Sequence, residues 1–164
     1  NVTVTPTITR VSNVDRVLTQ GLELVWQTRD VGIKGLDIGG SATWTDAEVK
    51  ANAANPAQVG KKWLRIPKQR YSLQAGYRPN AQWLLGAAWR YGGPMYGTEL
   101  NTDFNSDTYG GISRVNQLDF KAAWKFAKHW EWSLGVNNVT NQKSWQYHTL
   151  PQRSVQTELR YAMQ

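Results

Sequence analysis

The stretch SVQTELRYAMQ, residues 154–164, alternates apolar and polar side chains without a break. Successive side chains of an extended strand point to opposite faces, so Val155, Thr157, Leu159, Tyr161 and Met163 share one side. Ser154, Gln156, Glu158, Arg160 and Ala162 share the other. A terminus that keeps this pattern almost to its last residue reads as a structural strand, and the rest of the sequence must supply its sheet.

Working back from it, six more segments alternate in the same way. One face carries Leu22, Leu24, Trp26 and Thr28, then Leu36, Ile38, Gly40, Ala42 and Trp44, then Tyr71, Leu73, Ala75 and Tyr77. It continues as Trp83, Leu85, Ala87, Trp89 and Tyr91, then Leu118, Phe120, Ala122, Trp124 and Phe126, then Trp130, Trp132, Leu134 and Val136. No position on this face is charged. The intervening positions hold Glu23, Asp37, Arg78, Arg90, Asp119, Lys121, Lys125, Glu131, Glu158 and Arg160. The segments run to about 9–11 residues, the length of a tilted strand that crosses a bilayer.

The connections separate a membrane reading from a soluble one. Short links (Asp30 to Gly35, Pro79 to Ala81, Ala127 to His129) alternate with long ones (Val49 to Gln69, Gly92 to Ser113, Asn138 to Arg153). An outer-membrane barrel places its short turns at the periplasmic end and its long loops outside; a sandwich has no reason to. Trp26, Tyr77, Trp83, Trp124, Phe126, Trp130 and Tyr161 lie near the short turns, and Trp44, Tyr71, Trp89 and Tyr91 near the long loops. These are the two interfacial girdles of such a barrel. The expected fold is an all-β antiparallel transmembrane barrel segment of about seven to eight strands, the eighth obtained by counting residues 2–12. Pro6 and the polar run around it also fit a loop or the end of an earlier strand.

Composition agrees. Nine Trp, seven Tyr and three Phe accompany a mean hydropathy of −0.57, so large aromatics coexist with a polar average. No run approaches the roughly 18 apolar residues of a membrane helix. The start has no charged-then-apolar leader, as expected of mature protein or an internal piece. The absence of cysteine excludes disulfides and thiolate metal sites. The charge of +7 is spread along strands, without a basic recognition helix or zinc-finger spacing, so no nucleic-acid partner is expected.

The segment GVNNVTNQKSWQYHTLPQRSVQTELRYAMQ resembles the C-terminal end of TonB-dependent outer-membrane receptors: an Asn-rich turn (Asn137-Asn138-Val139-Thr140-Asn141), a loop, Pro151-Gln152-Arg153, and a closing strand with a late aromatic, Tyr161. RVLTQGLELVWQ, IPKQRYSLQAGYRP and GGISRVNQLDFKAAWKF resemble the family's late barrel strands. The terminal aromatic of the family is replaced by Met163-Gln164. The resemblance implies that residues 1–164 are the C-terminal portion of a barrel of about 22 strands, with the plug domain and TonB box outside this chain. It implies residence in the bacterial outer membrane and uptake of a scarce nutrient, foremost a ferric siderophore, driven by TonB through the plug. The alternatives are a self-contained eight-stranded barrel with a structural, adhesion or rim-enzyme role, and a soluble β-sandwich binding module. Gly21, Gly39, Gly76, Gly86 and Gly135 on the polar face make a thin lining, better suited to a separate plug than to a filled small barrel.

Catalytic, metal and cofactor sites are not expected. The two histidines, His129 and His148, form no His-Glu-x-x-His motif. His129 reads as a solvated turn residue. Glu99, Asp103 and Asp107 cluster, but not at EF-hand spacing. Binding is expected from the long loops, where Trp63, Arg65, Tyr96, Tyr109, Trp145, Tyr147 and His148 offer aromatic and polar groups to a small planar ligand. Lys61, Lys62, Arg65, Lys68 and Arg70 form a basic cluster suited to lipopolysaccharide phosphates or to an anionic ligand. Outer-membrane lipid is the remaining expected partner.

Overall fold

Each alternating segment forms one strand of a single antiparallel sheet in a computed structural model, which describes residues 2–5 and 8–163. The strands are β3 (Arg16–Thr28), β4 (Leu36–Ala51), β5 (Gln69–Asn80), β6 (Trp83–Gly92), β7 (Val115–Ala127), β8 (Trp130–Asn137) and β11 (Ser154–Tyr161). They lie in the order β11-β8-β7-β6-β5-β4-β3, so neighbours in the chain are neighbours in space. Two short hairpins stand apart: β1 (Val2–Thr5) with β2 (Ile8–Arg10), and β9 (Trp145–Gln146) with β10 (His148–Thr149).

The first of these settles the strand count at the lower of the two expected values, seven. Residues 2–12 add no eighth strand to the sheet, because Val2–Thr5 pairs with Ile8–Arg10. Two short β-rich runs two residues apart close locally, at a smaller loop entropy than a distant pairing. Seven strands leave β3 and β11 as open edges among the described residues, so neither an eight-stranded barrel nor a sandwich is formed. The expectations placed on Pro6 and on the final Gln164 fall outside the described residues.

Register preserves the two faces across all seven strands. Leu22 faces Trp44, Leu36 faces Tyr77, Leu73 faces Trp89, Ala87 faces Phe120, Ala122 faces Leu134, and Leu134 faces Thr157. A slip of one residue in any pair would exchange the faces. On the apolar side most large residues are exposed, Leu22, Leu24, Phe120 and Leu159 among them. A sheet that shows such a surface to water aggregates, whereas hydrocarbon solvates it.

The girdles are continuous bands. Trp83 stacks on Trp124 at 5.5 Å, and contacts then run through Phe126 and Trp130 to Tyr161, the last at 4.8 Å, crossing four strands. At the other end Trp44, Tyr71, Tyr91 and Trp89 touch in series at 5.6–6.2 Å. Trp89 Nε1 donates to Asn116 Oδ1 (2.7 Å), linking this band to β7. Glycine makes one of these fits possible: a Cβ on Gly40 would sit 2.5 Å from the Trp26 ring that lies across it.

The opposite face is polar and cross-linked. Arg90 bonds Asp119 at 2.7 Å, Arg78 bonds Asp37 at 2.8 Å, and the Ser41 and Ser72 hydroxyls meet at 2.8 Å. The Asn-rich turn after β8 is explained locally. Asn138 and Asn141 adopt φ values of +51° and +53°, which Asn tolerates better than most residues. The Asn138 side chain accepts from Gln142 N–H (2.9 Å) and donates to its carbonyl (2.8 Å). Its backbone N–H reaches Asp119 on the wall (2.8 Å).

His129 is more than a solvated turn residue. Its carbonyl accepts the Ala162 N–H (2.9 Å), and its Nδ1 lies 3.0 Å from the Ala162 oxygen, which ties the end of β11 to the β7–β8 turn. Sequence separation hid this partner.

Candidate ligand site on the long loops

The wall itself buries few side chains; Ala47, Val49, Asn52, Gln58, Ile112, Ser113, Asn138 and Ser144 are buried at the long-loop end. The three long loops, residues 52–68, 93–114 and 138–153, therefore pack on one another.

The first loop returns along β4 beyond the girdle. Val49 N–H donates to the Lys61 carbonyl (3.0 Å) and Trp63 N–H to the Ala47 carbonyl (2.9 Å). On the outward side Lys62 Nζ lies 2.7 Å from Asp46 and 3.1 Å from Glu48, and Lys50 lies 2.6 Å from Glu48. Hydrogen bonds from Lys50 and then Lys62 hold the Glu48 carboxyl below its usual value. Bonds to Asp46 and then Glu48 hold the Lys62 ammonium above its usual value.

The signs set the pH range of this anchor. The Glu48 contribution is complete above the ordinary glutamate range and is lost as pH falls through its lowered folded value. The Lys62 contribution is complete below the ordinary lysine range and is lost as pH rises through its raised value. Protection of the Trp63 amide, corrected for intrinsic exchange, should therefore be flat between these limits and fall in acid below the carboxylate range. Hydrogen exchange read by mass spectrometry checks this, and protection unchanged in acid would remove the ion network as the anchor. These groups are partly exposed, so added salt should weaken the effect.

Amide side chains join the first loop to the second. Asn52 donates to Gln58 (2.7 Å), Gln58 donates to Glu99, and the Lys62 N–H donates to Asn101 (2.7 Å). Arg65 N–H reaches the Tyr96 carbonyl (3.0 Å). Backbone bonds join the second loop to the third: Gly110 N–H to the Tyr147 carbonyl, and Tyr147 N–H to the Gly111 carbonyl, both 2.8 Å.

One side-chain clasp joins the first loop to the third. Arg65 Nε donates to Tyr147 Oη (3.0 Å), and its guanidinium carbon lies 4.9 Å from the ring centroid. Both residues have positive φ, 59° and 63°, a conformation costing on the order of 1–3 kcal/mol each that persists only when the surroundings impose it. Beside the clasp, Tyr109 meets His148 edge-on at 5.3 Å.

Of the expected ligand residues, Arg65 meets Tyr147 and Tyr109 meets His148, two side-chain contacts drawn from three loops and joined through the Gly110–Tyr147 backbone bond. Trp63 and Trp145 are not in contact with them among the hydrogen bonds and ring contacts described, and Tyr96 meets Arg65 only through its backbone carbonyl. Trp63 lines a separate crevice with Asn52, Gln58 and Glu99. Tyr96 borders a cleft with Lys62 and Lys68, and Trp145 packs under Lys143 with its backbone bonded to Ser113. The basic cluster is dispersed as well, since Lys62 is ion-paired and Arg70 lies opposite Thr43 on the polar face of the wall. Phe104 was not anticipated. It is fully exposed beside Asp103, whose carboxylate accepts from Gly97 N–H (2.9 Å) and Thr98 Oγ1 (2.8 Å), and a lone aromatic in a polar run was the available signal.

An open sheet with lipid-type and polar faces, girdles at both ends and interlocked loops at one end narrows the possible families, and the family model "TonB dependent receptor-like, beta-barrel" matches residues 1–139. The chain belongs to the TonB-dependent receptor β-barrel family. Three solved structures share the fold at low identity. The siderophore receptor PiuA from Acinetobacter baumannii matches with TM-score 0.68 and 19% identity over 86% of this chain. The ferric citrate transporter FecA in its unliganded form gives 0.72 and 18% over 87%. The copper transporter OprC gives 0.60 and 16% over 88%. This chain spans 20%, 24% and 23% of those three, respectively. It is a part of such a barrel wall, in a family of receptors and transporters whose members reside in the outer membrane.

Proposed function

We propose that this chain is the C-terminal wall and three outer loops of a receptor that captures a ferric siderophore or similar anionic chelate. TonB, acting through a plug domain outside this chain, would then drive import. The observation that carries the reading is the junction of Arg65, Tyr147, Tyr109 and His148. Nε of Arg65 is engaged by Tyr147, which leaves the two terminal nitrogens of a group with five N–H donors to meet carboxylate or catecholate oxygens. The rings beside it offer planar stacking. No bond chemistry is needed of these residues, and the reading is of a transporter and not an enzyme.

The test is the variant Tyr109→Ala/Tyr147→Ala/His148→Ala in the full-length receptor, with surface display checked first. Stacking contributes about 0.5–1.5 kcal/mol per ring beyond area burial. Loss of two tyrosine rings should then weaken affinity for the transported chelate roughly tenfold, since about 1.4 kcal/mol is one decade. Labelled-chelate uptake and equilibrium binding measure it. Affinity unchanged by the triple variant would confine this junction to loop packing.

A further inference from the structure

Trp63 stands apart from the Arg65–Tyr147 clasp, in a crevice of about 130 Å³. Ser12 and Val14 line it from the segment before β3, Val49 from β4, and Glu99 from the second loop. Its size excludes a chelate, because pockets for ligands of drug size begin at about 300 Å³. It is still about ten times the room that one water needs.

Two kinds of surface meet there. Val14, Val49 and Leu64 are apolar, and beside them the half-buried Trp63 indole has neither a hydrogen bond nor a ring partner among the described residues. Asn52 and Gln58, 7% and 6% exposed, supply the polar part. Asn52 Oδ1 accepts the Asn55 N–H (3.1 Å), Asn52 Nδ2 donates to Gln58 Oε1 (2.7 Å), and Gln58 Nε2 donates to Glu99. A side-chain amide carries two N–H donors, so one on each residue remains for a ligand. Charge argues against an anion. Lys62 is neutralised by Asp46 and Glu48, and the other ionisable group lining the crevice among the described residues is the Glu99 carboxyl. Open N–H donors without a spare cation suit neutral oxygen acceptors, while the apolar wall and the indole suit C–H groups. A pyranose ring carries both, hydroxyls at its rim and C–H bonds on its faces.

We infer that this crevice binds one neutral sugar ring, free or at the end of a glycan. The Trp63 indole lies against a C–H face of the ring, and the Asn52 and Gln58 amides donate to its hydroxyl oxygens. The groups are already held in place. Trp63 N–H bonds the Ala47 carbonyl (2.9 Å), and the Asn101 side chain takes both the N–H and the carbonyl of Lys62 (2.7 and 3.1 Å). Such fixed groups lose little freedom when a ligand arrives. The site is separate from the chelate junction and does not depend on that reading.

The experiment titrates the full-length receptor in detergent with the methyl glycosides of glucose, galactose, mannose and N-acetylglucosamine, read by saturation-transfer NMR. At least one should bind with about millimolar affinity, the scale for a ligand of about a dozen heavy atoms. Trp63→Ala should weaken that binding by about tenfold or more, through loss of the indole face. Trp63→Leu, which keeps apolar bulk without a ring, should act in the same direction and replaces Trp63→Ala if that variant does not assemble. Affinity for the transported chelate should be the same in these variants as in the parent, which separates this site from the clasp. A disaccharide that binds as well as its methyl glycoside identifies the end of a glycan, and one that is excluded identifies a free sugar; either supports the site. Absence of binding by all of these glycosides at tens of millimolar, or binding unchanged by both Trp63 variants, would overturn the inference and leave Trp63 as loop packing.

Discussion

Refolded by themselves into detergent or vesicles, residues 1–164 should yield no heat-resistant species on an unheated gel, whereas the complete receptor should. The sheet ends at β3 and β11, 13 and 8 residues long, and neither outer edge has a partner among the described residues. An antiparallel edge turns the N–H and C=O of alternate residues outward. In hydrocarbon each such orphan costs several kcal/mol, so roughly ten residues across both edges cost on the order of tens of kcal/mol. That exceeds the total stability of about 5–15 kcal/mol of an ordinary domain. The gain from burying the apolar face does not close this gap, because lipid contacts leave backbone groups unpaired. The comparison should be made by gel shift and by protease resistance of the β3 and β11 segments. A compact, resistant monomer would mean that the two edges can join, and the wall would then be a small barrel after all.

The strands were legible because alternation is local. Each needs its own residues alone to declare a face, and pairing then has one register that keeps every such face together, as Leu22–Trp44 and Ala122–Leu134 do. The girdles follow from the same parity. Where the alternation exchanges its faces, the sequence loses its grip: beyond Trp44, β4 continues to Ala51 through Asp46, Glu48 and Lys50, paired with β3 along one edge and with the returning residues 61–63 along the other. Nothing local announces that return.

The candidate site was legible as a set of residue types on loops, but not as an arrangement. Arg65 and Tyr147 are 82 residues apart, and His129 finds Ala162 across 33. The basic run also misleads by its density. Lys62 is taken up by the carboxylates of Asp46 and Glu48, Arg65 reaches the third loop, and Arg70 lies on the wall opposite Thr43. A cluster in sequence is a patch in space only when the local backbone makes it so.

The face assignment has a sharp consequence along three consecutive residues of β6. Ala87 lies midway between Trp83 and Tyr91, the two girdle positions of its strand, and pairs with Ala75 and Phe120 at the same level. Ala87→Arg should destabilise the folded barrel by about 2–4 kcal/mol, the cost of arginine at the bilayer midplane. Leu85→Arg, one step nearer the Trp83 girdle, should cost somewhat less because the guanidinium can reach the interface. Gly86→Ser should be nearly neutral. Its side chain would point to the polar face, where a Cβ meets nothing closer than 3.8 Å. Denaturant titrations of the full-length receptor folded into lipid vesicles measure all three, provided the variants refold reversibly. The expected order is Ala87→Arg, then Leu85→Arg, then Gly86→Ser, from most to least damaging. An arginine tolerated at Ala87 as well as a serine at Gly86 would mean that the uncharged face is not turned to lipid, and the inside and outside of the wall would have to be exchanged.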